Sequence, residues 1–257
     1  MDNSNIIRKA RKIASENKLD DRITFIQGKV EEVILPVDKV DVIISEWMGY
    51  FLLFEGMLDS VLAARDKWLK PDGIMAPSNT TILIAAVSDE EWYNDKYHFW
   101  NNVYGFSMPI MKNNFLRDAQ VDYADQKTIC SKPVSIQSID TETTTCAALD
   151  FKSDFIVVVE ITGVVHALCG WFDTEFSGHS LHDVNRIVFS TGPASTRTHW
   201  KQTLFVFAQP IKVTIGDTIS GTFKCTKSES HHRELKVEIE YCASGSGQTG
   251  TQLFNVR

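Results

Sequence analysis

The chain has 257 residues, enough for one large domain or two smaller ones. It carries 26 Lys and Arg against 33 Asp and Glu, a net charge of −7, with 43% hydrophobic and 23% charged residues. That balance implies a globular chain with a sizeable core rather than disorder, and the acidic excess suits a cationic partner better than a phosphate backbone.

In chain order, residues 5–17 read as a helix with Asn3 or Ser4 as N-cap. Residues 23–26 form a short apolar strand closed by Gly28. Residues 40–44 form a second strand, nearly all β-branched, as fits burial on both faces. Leu58, Val61, Leu62, Trp68 and Leu69 then recur at helical spacing, and Pro71-Asp72-Gly73 ends that helix with turn chemistry. The alternation predicts an α/β unit with parallel strands. The character changes near Pro77. Residues 80–87 read as a strand. Asp89-Glu90-Glu91 reads as a helix start, because acidic side chains favour a first turn. Residues 92–111 are rich in aromatics, and from about Val134 the pattern is strands and turns. Leu235, Val237, Ile239 and Tyr241 alternate with Lys236, Glu238 and Glu240, a half-buried strand. Gly216-Asp217 reads as a hairpin turn, and the Gly/Ser/Thr-rich segment 244–251 as a loose tail. The expected fold class is α/β plus β, with the change at residues 76–77 and one aromatic insertion in a mostly antiparallel second part.

The longest apolar runs, such as 82–87 and 155–159, fall well short of the ~20 residues that span a bilayer. The N-terminus shows no basic segment followed by an apolar stretch, so no signal peptide and no membrane association are expected. Cys130, Cys146, Cys169, Cys225 and Cys242 are odd in number, widely spaced and without a CxxC pair. They read as reduced, mostly buried thiols of an intracellular protein in the cytoplasm, the nucleus or both. The sequon at Asn79 is then a coincidence.

Two patterns are discounted. Gly245-Ser246-Gly247-Gln248-Thr249-Gly250 matches GxGxxG, but the few residues after it cannot supply the βαβ unit that a dinucleotide needs. His179 with His182, and His231-His232, have no further Cys or His at ligand spacing, so no metal is expected.

The informative stretch runs from Ser45 to Met57, between an apolar strand and a helix. Ligands of open α/β sheets bind beyond the carboxyl ends of strands. Here Glu46 and Glu55 bracket an apolar, aromatic loop. A carboxylate among apolar groups is costly unless paired with a cation or protonated. Two readings stand: one or both side chains point to water, or together they clamp a planar cation. A guanidinium, with five donors in a fixed fork, matches two carboxylates in bidentate fashion.

The string SEWMGYFLLFEGML (45–58) resembles the double-glutamate loop of the protein arginine N-methyltransferases. GKVEEVILP (28–36), VDVIISEWMGY (40–50), ARDKWLKPDG (64–73), FWNNVYGF (99–106) and FSTGPASTRTHWKQTLF (189–205) agree with the same family in the same order. The likeness covers essentially the whole chain and looks closest to type I enzymes, with the type-3 branch the nearest by eye.

The resemblance implies the C-terminal part of a Rossmann-like S-adenosylmethionine-binding domain over 1–76. It implies an antiparallel β-barrel substrate domain over 77–257, with a helical dimerisation arm at about 90–124. It implies methyl transfer from S-adenosylmethionine to arginine in protein substrates, Arg/Gly-rich by expectation, with asymmetric dimethylarginine as product. A homodimer is implied, and direct nucleic-acid binding is not. Glu46 and Glu55 would hold the guanidinium, and Met48 would line the methyl-accepting pocket. His199 and Trp200 match the family's THW loop. His199 would handle a proton or structure the pocket, against the alternative of a hydrogen-bonded interface histidine. On the cofactor side Asp2 matches the acidic ribose residue, Val30 and Glu31 the adenine segment, and Met57 the methionine end. For Glu31 a surface carboxylate is the rival reading.

The chain departs from the family in beginning after the strand and VLDxGxGxG loop that precede the ribose residue. Weak or absent cofactor binding by this chain alone is therefore expected, which micromolar affinity in isothermal titration would refute. An inactive dimerisation or substrate-binding module is the competing class.

Overall fold

The computed structural model describes residues 4–177, 186–231 and 233–257. The first part contains α1 (Ile7–Glu16), β1 (Val40–Ile44), α2 (Leu58–Trp68) and β2 (Leu69–Ala76). β3 (Asn79–Val87) follows, then the aromatic insertion with α3 (Glu90–Tyr97) and α4 (Met111–Arg117). The rest is β4 (Gln120–Asp122), β5 (Val134–Asp140), β6 (Phe151–Val158), β7 (Gly163–Phe176) and β8 (Ile187–Ser190). The chain ends with β9 (Gln202–Val213), β10 (Thr218–Lys227), β11 (Leu235–Ala243) and β12 (Thr249–Val256).

β1 and β2 pair in parallel across α2, the expected α/β unit. α2 buries Leu58, Val61, Leu62, Ala64 and Trp68 on one side, which is the helical spacing read from sequence. The second part is two antiparallel sheets, ordered β12-β11-β10-β6 and β4-β9-β7-β3-β5, with β8 on β7. They face each other through aromatic side chains. Phe205 of β9 meets Phe223 of β10 at 5.4 Å and Phe254 of β12 at 5.3 Å, both edge to face. Among the described residues the ladder does not close into a ring, so the barrel is open between its two sheets.

The insertion stands on a second, smaller core of Ala85, Val87, Tyr93, Cys169, Trp171 and Leu204. Asp89 caps α3 by accepting the Trp92 N–H at 2.9 Å, as the acidic run predicted. Beyond this base Tyr104, Phe106 and Ile110 are 94%, 69% and 71% exposed.

Several local expectations are corrected. Residues 23–26 form no strand. Among the described residues no ladder runs along them, and cross-strand pairs are what stabilise a strand. β1 is not buried on both faces: Val42 is 50% and Ile44 79% exposed, because β1 pairs only with β2 among the described residues. Pro71-Asp72-Gly73 does not separate helix from strand. Leu69 turns extended directly after α2, and the tripeptide is a bulge inside β2, between the pairs Val40–Leu69 and Val42–Ile74. The turn at Gly216 exists, with φ +91°. It is not a hairpin, because β9 and β10 belong to different sheets and the turn carries the chain from one to the other. The loose tail is ordered from Thr249 as β12, paired along β11. The GxGxxG match supplies the hairpin turn before β12, closed by Ala243 N–H to the Gln248 carbonyl at 2.8 Å and by Gly247 N–H to the Ala243 carbonyl at 2.9 Å. α1 has Ile6 rather than Ser4 at its N-cap; the Ser4 hydroxyl accepts the Ile6 N–H at 3.3 Å, and Asn3 lies outside the described residues.

Cys130, Cys169 and Cys225 are buried free thiols, while Cys146 and Cys242 are exposed. Burial pushes the Cys130 thiol up to about 11. His231 lies 4.0 Å from Glu234, and His179, His182 and His232 lie outside the described residues. Among the described residues no helix is long and apolar enough to cross a membrane.

Candidate active site

The loop between β1 and α2 starts where Ser45 N–H donates to the Ala76 carbonyl at 3.0 Å, one step past the parallel ladder. It then folds on itself. Gly49 N–H donates to the Leu52 carbonyl at 2.9 Å, Phe54 N–H to Tyr50 at 3.1 Å, and Gly56 N–H to Leu53 at 3.1 Å. Phe51, Leu52 and Glu55 take left-handed backbone, at φ 48°, 66° and 58°. Such conformations cost of order 1–3 kcal/mol each and persist only where the surroundings over-determine them.

Burial supplies that determination. Trp47, Phe51, Leu52 and Leu53 are all buried in the main core. Phe51 sits 5.1 Å from Phe205 and 5.6 Å from Phe223, so the loop of the first part is plugged into the core of the second. Full burial of such side chains contributes about 1.5–3 kcal/mol each, enough to offset the strain. Gly49 is required for a different reason. A Cβ there would stand 1.5 Å from the Phe54 carbonyl oxygen.

This division resolves the odd placement of charge. The apolar residues of the loop point into the core, while Glu46 and Glu55 at its two ends are exposed. Among the described residues neither carboxylate has a hydrogen bond or ion pair. Glu55 is nevertheless held by its backbone, whose N–H donates to the Arg233 carbonyl at 2.8 Å, just before β11.

The loop before β9 docks on the same place. The Trp200 indole N–H donates to the Met48 carbonyl at 2.9 Å. Its ring packs against Phe172 at 5.7 Å and Phe189 at 5.6 Å, and Met48 and Trp200 both lie half-buried against the main core. His199 is exposed and lies on Trp200, with ring centroids 3.9 Å apart. Residues 152 apart in sequence thus meet: Met48, of the loop that carries Glu46 and Glu55, and Trp200, of the loop that carries His199.

The residues read as cofactor-facing gather at the start of α2. Met57 is 52% exposed, and its carbonyl accepts the Val61 N–H at 3.1 Å. Glu31 accepts a hydrogen bond from the Ser60 hydroxyl, which holds its carboxyl below the usual carboxylate range. Val30 precedes it, half-buried. Asp2 lies outside the described residues.

Two contributors escaped the sequence reading. Arg233 acts through its carbonyl, which carries no side-chain signal. Lys227, at the end of β10, pairs with Asp59 in the first turn of α2 and ties that helix to the second part. A lysine at a strand end gives no hint in the sequence of such a partner.

A family model described as the arginine methyltransferase oligomerization subdomain matches residues 78–246. Protein arginine N-methyltransferase 1 of Schizosaccharomyces pombe is 45% identical over 241 residues, 94% of this chain and 70% of that protein. Its namesake in Dictyostelium discoideum is 42% identical over 245 residues, 95% of this chain and 71% of that protein. Both bear the number 1, whereas the motifs look closest to the type-3 branch. Among solved structures, the Trypanosoma brucei PRMT1 enzyme-prozyme heterotetrameric complex with AdoHcy aligns with a TM-score of 0.93 at 34% identity, over 99% of this chain and 80% of that one. Protein arginine methyltransferase 10 of Arabidopsis thaliana aligns at 0.86 with 29% identity, over 99% and 81%. The shared core, the strained loop with its two free carboxylates and these likenesses agree: the chain belongs to the protein arginine methyltransferase family.

Proposed function

We propose that Glu46 and Glu55 receive the guanidinium of a protein arginine, and that His199, Trp200 and Met48 complete the pocket in which one of its nitrogens is methylated. The chain is a protein arginine methyltransferase by family, acting with S-adenosylmethionine. One observation carries the site reading: two exposed carboxylates, unpartnered among the described residues, stand at the ends of a loop whose remaining bulk is buried.

The arginine side chain is protonated at every physiological pH, so its nitrogens are poor nucleophiles. Two carboxylates draw the positive charge toward the nitrogens they bind and leave electron density on the one that faces away. S-adenosylmethionine, when bound, supplies a methyl group activated on a sulfonium. The side chains here orient the nitrogen for in-line attack, and orientation is a large part of the rate. His199, exposed on the Trp200 ring, accepts the proton that the methylated nitrogen sheds. Met48 limits the room around that nitrogen, with asymmetric dimethylarginine as the end product.

The chemistry at the start of α2 fits the cofactor. Met57 offers an exposed apolar side chain, and Glu31 a carboxylate anchored to Ser60, one helical turn further on. Val30, Glu31 and Met57, with Asp2, would hold it. We take residues 1–76 as the cofactor-side domain and 77–257 as the substrate domain, with 90–124 as an arm that joins two copies. The exposed Tyr104, Phe106 and Ile110 support the arm. The Trypanosoma relative is a heterotetramer. Arg/Gly-rich segments suit the net charge of −7, which favours cationic peptides over nucleic acid. Five free thiols suit a reducing compartment, cytoplasm or nucleus.

Mass-spectrometric methylation of an Arg/Gly-rich peptide tests the reading. Glu46→Gln and Glu55→Gln should each lower catalytic efficiency about 100-fold, the loss of one bidentate charged contact. Near-normal turnover in both would end it.

A further inference from the structure

Residues 198–201 form a tight turn, with the Lys201 N–H donating to the Thr198 carbonyl at 3.2 Å and His199 and Trp200 at its two corners. Lys201 leaves the turn in left-handed backbone, φ 53°, directly before β9 begins. Corner side chains of a turn point outward, and nothing within the turn itself fixes where they aim. The support comes from Tyr123, the residue after β4. Asp122 pairs with Gln202 in the ladder, and the Ala124 N–H donates to the Gln202 side chain at 2.9 Å, so Tyr123 is set opposite the turn. Its hydroxyl donates to the Thr198 carbonyl at 3.1 Å, the same oxygen that closes the turn. Its ring is flanked by Arg197 at 4.8 Å and Lys201 at 5.3 Å, the residues on either side of the Thr-His-Trp string. One tyrosine therefore takes the second lone pair of the turn's carbonyl and both of its flanking cations. Tyr123 is itself fixed: its N–H donates to the Asp122 carboxylate at 2.9 Å, whose other oxygen accepts the Trp92 indole N–H at 3.1 Å from α3.

We propose that Tyr123 is a positioning residue for the arginine pocket, a socket that aims His199 and holds Trp200 against the Met48 carbonyl. The proposal rests on the reading of His199 and Trp200 as pocket residues. Tyr123 itself touches no substrate, so its loss should act on peptide binding and leave the cofactor side alone.

The test uses the full chain labelled with 5-fluorotryptophan, its six resonances observed by fluorine NMR and the Trp200 signal assigned with Trp200→Phe. In Tyr123→Phe, which keeps the ring, the Trp200 resonance should shift or broaden while the other five hold. KM for an arginine peptide should rise roughly two- to tenfold, the range of one lost hydrogen bond, with KM for S-adenosylmethionine unchanged. Tyr123→Leu, which removes the ring as well, should move both readouts further. An unmoved Trp200 resonance overturns the proposal, and so does a moved resonance with an unchanged peptide KM. Failure of the site reading looks different: Glu46→Gln would then methylate peptide normally, whatever the Trp200 resonance does.

Discussion

The Trp200 indole donates to the Met48 carbonyl at 2.9 Å across 152 positions of chain. This bond joins the loop that carries both glutamates to the loop that carries His199, and no covalent neighbour of either could align them. Trp200→Phe keeps an aromatic ring on Phe172 and Phe189 but loses the donor. We expect a loss of about 1 kcal/mol in urea unfolding, the worth of one such bond. Catalytic efficiency with peptide should fall by more than that energy implies, because the loop registers the pocket. Unaltered kinetics in a variant of lowered stability would remove the loop from the site.

Stability and chemistry should separate within the double-glutamate loop. Gly49→Ala places a Cβ 1.5 Å from the Phe54 carbonyl oxygen and forces the turn apart. It should cost about 2–3 kcal/mol and abolish methylation together. Glu46→Gln and Glu55→Gln touch exposed, unpaired groups and should stay within about 0.5 kcal/mol of the parent. Denaturant melts of the three variants decide the point.

His166 makes the base of the arm sensitive to pH. It is buried in β7, at the break in the β7–β9 register, and its Nδ1 accepts the Asp89 N–H at 3.1 Å. The Tyr93 ring lies 5.0 Å away. Burial lowers the imidazole pKa from its ordinary 6.5, outweighing the nearby carboxylates of Glu90 and Asp89, which raise it. The unfolded chain then binds a proton that the folded chain refuses. Stability should therefore be complete above pH 6.5 and decline as the pH falls toward the folded pKa. His166→Gln should flatten this part of the profile, as followed by thermal melts from pH 8 to pH 5. An equally steep decline in the variant would assign it to other groups.

The arm should be separable from the fold. Phe106 and Ile110 are 69% and 71% exposed, so Phe106→Ser with Ile110→Ser removes little buried area from the single chain. The doubly substituted protein should melt within a few degrees of the parent at low concentration. By light scattering the parent should be a dimer and the variant a monomer. A variant dimer would place the interface elsewhere.

Legibility followed the range of the interactions. β11 and α2 were plain because alternation and helical spacing record which side of an element is buried, whatever lies on that side. The Asp89 cap was plain because its bond is three residues long. Pro71-Asp72-Gly73 misled, since the same residues that end a helix also bulge a strand, and only pairing with β1 distinguishes the two. Gly216-Asp217 misled likewise: the turn is local, but whether its arms pair with each other is decided by β6, β7 and β11. Val42 and Ile44 look like core from their side chains and are exposed, because burial belongs to the neighbours and not to the residue.

By itself the sequence determined the family and singled out the two glutamates as a pair, since long ordered motifs are properties of the string. Tertiary structure alone decided what those glutamates stand on. Phe51 reaches Phe205, Glu55 is held by the Arg233 carbonyl, and Tyr123 meets the Thr198 carbonyl through contacts between segments far apart in the chain. Such contacts follow from how two sheets and a loop close on one core, and a backbone carbonyl that holds a site in place is the same atom in every residue.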